Sequence, residues 1–313
     1  MAKFKVITSR SNQGFFTQIF HTLQHLDAAE KEGMIPVVCW SGGIYAHDGG
    51  YNGAKTKNVW DFFFEPVSEY SFDKMFPKAK ANQYGDFPNI KDKNIQFVSK
   101  FRNTSLPYEP VNCWNTKLFP PDICLVNPSL EGRLYIGSLI KKYLKIKKVV
   151  QNKIDDFFER HLRGQQFVSV HMRACVDHEP AQGHKIMQRY AKRVRKYLER
   201  NSGGKVFVAT DYQGALDPLI KEFGKSVIYR KEGKRSSNKQ PLQYACQAKK
   251  KHRPPGAKVF EDVLIDAVLL SRADCIYRGF SNVASAATFF NPHMDSVYVP
   301  KYNEKDKRYL EIS

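Results

Sequence analysis

The sequence predicts an α/β protein of doubly wound, parallel-sheet architecture. Its 313 residues are 42% hydrophobic and 13% aromatic, enough for a sizeable core and too apolar for disorder. The chain opens on a strand-helix-strand pattern over residues 4–40. Its second half then alternates strands and helices from residue 167 to residue 299, the pattern of a nucleotide-binding domain.

The elements follow in order. Phe4-Lys5-Val6-Ile7-Thr8 reads as a first strand, and Gly14-Phe15-Phe16 opens a helix with Phe16, Ile19, Phe20, Leu23 and Leu26 at helical spacing. The apolar run 35–40 is a second strand, and the Gly-, Asn- and Tyr-rich residues 41–60 are loop. Residues 84–130 are broken by prolines and take no assignment. Residues 131–147 predict a helix with Leu134, Ile136, Leu139, Ile140, Tyr143 and Leu144 as its apolar stripe, and residues 152–162 a second helix. A boundary is expected near Arg163-Gly164-Gln165-Gln166, dividing an N-terminal α/β domain, 1–163, from a C-terminal Rossmann-like domain, 164–313. Beyond it, strands are expected at 167–173, 206–210, 226–229, 275–277 and 297–299, and helices at 184–199, 215–223, 259–273 and 284–290. The helix at 259–273 is apolar almost all round and therefore buried. Residues 230–258 form a basic insert with ten Lys and Arg, read as a solvated flap or a flap over phosphates.

The net charge of +19 draws the chain toward polyanions, whether nucleic acid, anionic membrane, phosphorylated glycan or nucleotide phosphate. No aromatic-basic module or recognition motif supports nucleic acid, so none is expected as partner. The N-terminus has no apolar run of signal-peptide length, and no segment holds about 18 uninterrupted apolar residues. A cytoplasmic protein without a membrane span, of viral or bacterial type, is the expectation. Cys39, Cys113, Cys124, Cys175, Cys246 and Cys275 are scattered with no CxxC pair, which points to reduced thiols and against zinc.

In a doubly wound sheet, ligands lie at the carboxyl ends of the strands. Four sets of residues stand there. His171 and Arg173 leave the strand at 167–173, and a guanidinium forks two donors toward a diphosphate. Asp211 ends the next strand. Ser281 and Asn282 begin a helix, whose N-terminus suits phosphate, although Ser and Asn are also ordinary caps. Asp266 lies mid-helix among apolar residues and needs a partner. Guanine offers N1–H and N2–H₂ side by side to such a carboxylate; a carboxylate that faces solvent, or pairs with a nearby arginine such as Arg272, is the alternative. Asp177, His178 and Glu179 are candidates for a general base, with His178 and Glu179 preferred. In the first half, only Asn12, Gln13, Gly14 and Phe15 are expected to face a cleft. The chain has no DxD, so a diphosphate would be neutralised by Arg173 and a helix terminus without metal; it has no Walker loop and no GxGxxG.

Together these segments resemble a known family. Val168-Ser169-Val170-His171-Met172-Arg173 resembles the VHxR motif of the α1,6-fucosyltransferases, the nodulation fucosyltransferases and, more distantly, the protein O-fucosyltransferases. Phe207-Val208-Ala209-Thr210-Asp211 resembles their second motif. The run from Glu261 to Asp274, followed by Gly279-Phe280-Ser281-Asn282, resembles their third. The order of the three is that of the family, across residues 167–290. The first half is similar more loosely, at Gly14-Phe15-Phe16 and from Asn58-Val59-Trp60 to Phe64-Glu65-Pro66-Val67.

The resemblance implies a GT-B fold, two Rossmann-like domains facing a cleft, and an inverting, metal-independent glycosyltransferase. The donor it implies is GDP-fucose, with no other cofactor, and the acceptor an oligosaccharide or glycoprotein. By position it places His171 and Asp266 on guanine, Arg173 on the β-phosphate, and Ser281 and Asn282 on the phosphates; Asp211 matches the acid of the second motif. Ala174 stands where the α1,6 enzymes carry a second arginine, and Cys175-Val176 replaces their Thr-Asp. Donors such as UDP-xylose or another GDP-sugar therefore stay open. So do two readings from other classes: a basic nucleic-acid-binding protein, and a sugar-binding relic of the fold without catalysis.

Overall fold

The computed structural model describes residues 2–9, 14–41, 43–45, 50–76, 92–98, 128–173, 180–237, 256–279 and 281–299. The chain divides into two units, one of Met1–Pro121, Tyr135–Gln151 and Lys251–Glu261, the other of Asp122–Leu134, Asn152–Lys250 and Asp262–Ser313.

In the first unit, strand β1 (Phe4–Thr8) is central to a parallel sheet, flanked by β2 (Ile35–Cys39) and β3 (Ile95–Val98). Val6 and Ile7 are fully buried, as suits β-branched residues with both faces covered. Helix α1 (Phe15–Lys31) carries the chain from β1 back to β2. Its expected apolar stripe is buried, but so is every other residue from Phe15 to Ala29, including Gln18, His21, Gln24 and His25. Part of that polar burial is met by hydrogen bonds: Gln18 Nε2 donates to the Thr8 carbonyl at 3.4 Å, and Trp40 Nε1 to Thr22 Oγ1 at 3.1 Å, while Gln24 Nε2 has no partner among the described residues. The helix stops at Gly33, whose φ of +64° is the left-handed turn that glycine adopts freely.

Short helices α2 (Trp60–Phe63) and α3 (Phe72–Met75) follow. Asn58 pins the loop before α2 to the end of β2: its Oδ1 accepts from Trp40 N at 2.7 Å and its Nδ2 donates to Val38 O at 2.8 Å. An aromatic group fills the space beneath, with Trp40 edge-on to Trp60 at 5.2 Å and to Phe15 at 5.8 Å. Helix α4 (Leu130–Tyr143) is tied to α1 through Tyr135 and Asp27 (2.8 Å) and Tyr143 and Glu30 (2.8 Å). Ile136, Leu139, Ile140, Tyr143 and Leu144 of its expected stripe are buried; Leu134 is exposed instead. Helix α5 (Lys148–His161) begins four residues earlier than the sequence pattern indicated.

The second unit holds a five-stranded parallel sheet in the order β6-β5-β4-β7-β8. Its strands are β4 (Phe167–Met172), β5 (Lys205–Thr210), β6 (Val227–Ile228), β7 (Cys275–Arg278) and β8 (Asp295–Tyr298). The intervening helices are α6 (Pro180–Arg200), α7 (Gln213–Phe223), α8 (Ala257–Leu270) and α9 (Asn282–Phe290). All strand pairs are parallel. The chain moves outward from β4 to β5 and β6, then returns across to β7 and β8, so the order reverses between β4 and β7. One core gathers Val168, Val170 and Met172 of β4 with Ile186, Tyr190 and Val194 of α6 and Leu216 and Leu219 of α7. Ser169, on the opposite face of β4, is fully buried and donates to the Leu270 carbonyl at the end of α8 at 2.9 Å. No described helix is long and apolar enough to cross a membrane.

Candidate functional site

The carboxyl edge of the five-stranded sheet collects the polar groups. His171 is the register partner of Arg278 across β4 and β7, so the two side chains stand side by side where the strand order reverses. Both are buried, Arg278 fully, and Arg278 Nε donates to Ser296 Oγ at 2.7 Å. Burial and then the neighbouring guanidinium groups of Arg173 and Arg278 push the His171 imidazole down to about 3. It is therefore neutral at ordinary pH. Its Nδ1 is buried and has no hydrogen-bond partner among the described residues. An imidazole nitrogen left open at a sheet edge, inside a wall of fixed positive charge, can take a hydrogen bond from a ligand that brings negative charge elsewhere.

Tyr190 of α6 closes the underside of this point. Its hydroxyl donates to the His171 carbonyl at 3.1 Å, and a Cβ on Gly279, just past β7, would lie 3.1 Å from that same hydroxyl. A side chain at 279 would require the Tyr190 hydroxyl to shift by a few tenths of an ångström against the end of β4. Tyr190→Phe is expected to cost about 0.5–1.5 kcal/mol in urea unfolding, the net worth of one hydrogen bond, with no change in fold by circular dichroism.

Arg173 follows β4 directly and is half-buried. Among the described residues no carboxylate pairs with it. Asp211 follows β5; its carbonyl accepts from Ser236 N at 2.8 Å and Ser236 Oγ at 3.0 Å, which folds the segment after β6 back over the end of β5. Ser281 is buried in extended conformation as the N-cap of α9, its Oγ accepting from Val283 N at 3.2 Å. The hydroxyl thus serves the helix, and the positive end of α9, with Asn282 as its first residue, is what this corner offers an anion. His178, Glu179, Asp177, Asn12 and Gln13 lie outside the described residues. Gly14 caps α1, whereas Phe15, expected on a cleft-facing loop, is the first residue of α1 and is 4% exposed, packed against Trp40, Phe63 and Phe260. Its apolar ring gains more from that aromatic pocket than from water.

Asp266 takes a different arginine from the one the sequence suggested. Arg272 pairs with Asp155 at 3.0 Å; Asp266 Oδ1 instead accepts from Nη1 of Arg230, two residues beyond β6, at 3.0 Å. Burial raises the Asp266 carboxyl above its usual range and Arg230 opposes that rise. Arg230 belongs to the basic insert read as a solvated flap or a flap over phosphates; it is 2% exposed and internal, bound to α8. Arg230, Arg278 and Tyr190 were not singled out from sequence. The only local sign for Arg230 was a pair of acids, Asp262 and Asp266, one helical turn apart on an otherwise apolar helix. Among the described residues no group of three His, Cys, Asp or Glu side chains is placed to hold a metal ion.

No family model and no curated protein matches the chain. Solved structures do. The chain is similar to the fucosyltransferase NodZ from Bradyrhizobium, at 17% identity over 93% of this chain and 92% of that chain, with a TM-score of 0.50. It is similar to Arabidopsis thaliana FUT1 in a complex with GDP, at 11% identity over 97% of this chain and 71% of that chain, TM-score 0.55. It is similar to POFUT1 in complex with GDP-fucose, at 13% identity over 94% and 97% of the two chains, TM-score 0.51. The fold, α/β with parallel sheets, is fucosyltransferase-like.

Proposed function

We propose that the chain is an inverting, metal-independent glycosyltransferase that moves L-fucose from GDP-fucose to an oligosaccharide or glycoprotein acceptor. In this reading the fold takes the two-domain GT-B form, residues 1–163 serving the acceptor and residues 164–313 the donor. The observation that carries it is the end of β4: a neutral His171 with an open nitrogen and, two residues on, Arg173, which no described carboxylate neutralises. Both stand at the strand-order reversal, where doubly wound sheets bind nucleotides. The likeness to structures that hold GDP or GDP-fucose supports the donor class; as fold-level analogy it supports no more than the class.

Each group has a role. His171 and Asp266 meet the guanine base. Arg173 and the N-terminus of α9, at Ser281 and Asn282, take the diphosphate, and Asp211, the acid of the second motif, belongs to the donor-binding set. As the bond between the anomeric carbon and the β-phosphate oxygen breaks, its electron pair goes to GDP, and the acceptor hydroxyl attacks from the opposite face of the sugar. His178 or Glu179 receives the hydroxyl proton. A cation fixed at the leaving phosphate stabilises the transition state more than the ground state, because charge grows there as the bond stretches. The free thiols of Cys39 and Cys275 suit a reducing compartment, and a cytoplasmic setting belongs to the same proposal.

Thermal shift in EDTA tests the reading. GDP at a hundredfold excess over its Kd is expected to stabilise the protein by about 2.7 kcal/mol, with UDP and duplex DNA giving no shift. Stabilisation by UDP alone would move the donor to a UDP-sugar such as UDP-xylose. Stabilisation by DNA alone, weakening with salt, would replace the reading with nucleic-acid binding.

A further inference from the structure

The pairing between Arg230 and two aspartates of α8 divides their oxygens unequally. Arg230 Nη2 donates to Asp262 Oδ1 at 2.8 Å, and Lys234 N donates to Asp262 Oδ2 at 3.3 Å, so both oxygens of Asp262 are used within the fold. Arg230 Nη1 donates to Asp266 Oδ1 at 3.0 Å and to the Asp262 carbonyl at 3.1 Å. Asp266 Oδ2 has no partner among the described residues, and the side chain keeps 21% of its surface open where Asp262 keeps 6%. One carboxylate anchors the arginine; the other is held by a single oxygen.

Where this happens matters. Arg230 leaves the carboxyl end of β6, and the next residues return to the end of β5, with Ser236 on the Asp211 carbonyl. The fork therefore ties Asp266 to the segment that leaves the carboxyl end of β6. A second guanidinium, Arg235, rests on the Arg230 carbonyl at 2.7 Å and lies over the Tyr229 ring. The two cations stand against two carboxylates, so Asp266 can remain an anion in a largely buried position.

We infer that Arg230 is a positioning residue that fixes base selectivity: by forking between Asp262 and Asp266 it holds Asp266 ionised, with one oxygen open to the N1–H and N2–H₂ edge of guanine. This rests on the reading above, in which Asp266 meets the base. A carboxylate aimed in this way accepts from both guanine donors. Inosine diphosphate, which lacks the 2-amino group, offers only one and should bind less tightly. A lysine at 230 keeps the charge but cannot span two carboxylates.

Calorimetric titration of the full chain with GDP, inosine diphosphate and UDP tests this. The wild type is expected to prefer GDP to both. Arg230→Lys and Arg230→Gln are each expected to raise the Kd for GDP by about 10- to 100-fold, the worth of a charged hydrogen bond, and to bring the ratio of GDP to inosine diphosphate affinity close to one. Glu232→Gln, which removes the charge of the exposed partner of Arg230 Nε and leaves the fork, is expected to keep the wild-type ratio. A merely structural role for Arg230 would lower the melting temperature and leave the ratio intact. Should Arg230→Gln not fold, Arg230→Lys decides. If a wild type that prefers GDP to UDP shows no preference over inosine diphosphate, or if Arg230→Lys retains the wild-type ratio, the inference is overturned while the donor reading stands. A wild type that ignores GDP overturns both.

Discussion

Arg173→Ala is expected to lower kcat for sugar transfer by about 10²–10³-fold, while GDP binds only several-fold more weakly. A diphosphate in the ground state already shares its charge with the N-terminus of α9 and the surrounding field of a chain at +19. The additional charge that accumulates on the departing oxygen has to be met by a donor already in place, and Arg173 follows β4 with no carboxylate of the described residues to hold it back. For the same reason the variant should fold: removing a half-buried side chain with no described ion pair changes stability by about 0.5 kcal/mol or less. Arg173→Lys, a point charge on a flexible stem, should recover part of the rate. Steady-state kinetics with a GDP-sugar, beside near-ultraviolet circular dichroism, check both halves. Unchanged turnover in the alanine variant would remove Arg173 from the chemistry.

His171 makes a pH dependence of comparable size. Its imidazole is pushed down to about 3 by burial and by Arg173 and Arg278, against 6.5 for a free histidine. The unfolded chain therefore binds a proton at this site that the folded chain refuses, throughout the window between those values. Stability from this residue is complete above about pH 6.5 and falls by about 1.4 kcal/mol per pH unit as the solution is acidified toward 3. At pH 4 the loss is about 3 kcal/mol. Asp61 works in the opposite sense. Burial raises its carboxyl to about 6, so the folded state gains a proton there before the unfolded state does, and its contribution is lost as pH rises from 3.8 toward 6. The total stability curve mixes the two. The difference between wild type and His171→Asn cancels Asp61 and every other shared group, and it should slope by about 1.4 kcal/mol per unit between pH 6 and pH 4. Urea titrations at several pH values measure it. A flat difference would mean that the imidazole is charged, or solvated, in the folded protein.

The sheet of the second unit was legible because its signals are local. Phe167–Met172, Lys205–Thr210 and Cys275–Arg278 are short apolar runs with polar exits, and the helices between them are long enough for their period to show. From that pattern alone the carboxyl edge could be drawn, with His171, Arg173, Asp211 and Ser281 on it. What stayed hidden depends on tertiary contact. Strand β3 is four residues, Ile-Gln-Phe-Val, in a stretch broken by prolines, too short for periodicity. The polar side of α1 gave no hint of burial, since Gln18, His21 and Gln24 read as a solvent face until neighbours cover them. Arg230 finds its carboxylates 32 and 36 residues later, a separation at which sequence carries no geometric signal. Phe15 was misplaced because a glycine-phenylalanine step before a helix resembles an exposed turn, while the pocket formed by Trp40, Phe63 and Phe260 comes from three distant segments.

The edge-on contact of Trp40 with Trp60 has an optical consequence. Both indoles belong to the first unit, and the residues of the second contain no tryptophan at all. Emission excited selectively at the red edge of the absorption band therefore monitors one sheet while the other is dark. Tyrosines occur in both units, Tyr135 and Tyr143 in the first and Tyr190 and Tyr229 in the second, so their ultraviolet signal reports on the whole chain. The indole emission thus labels the first unit without any dye, and its melting can be set against the whole-chain tyrosine signal in a single cuvette.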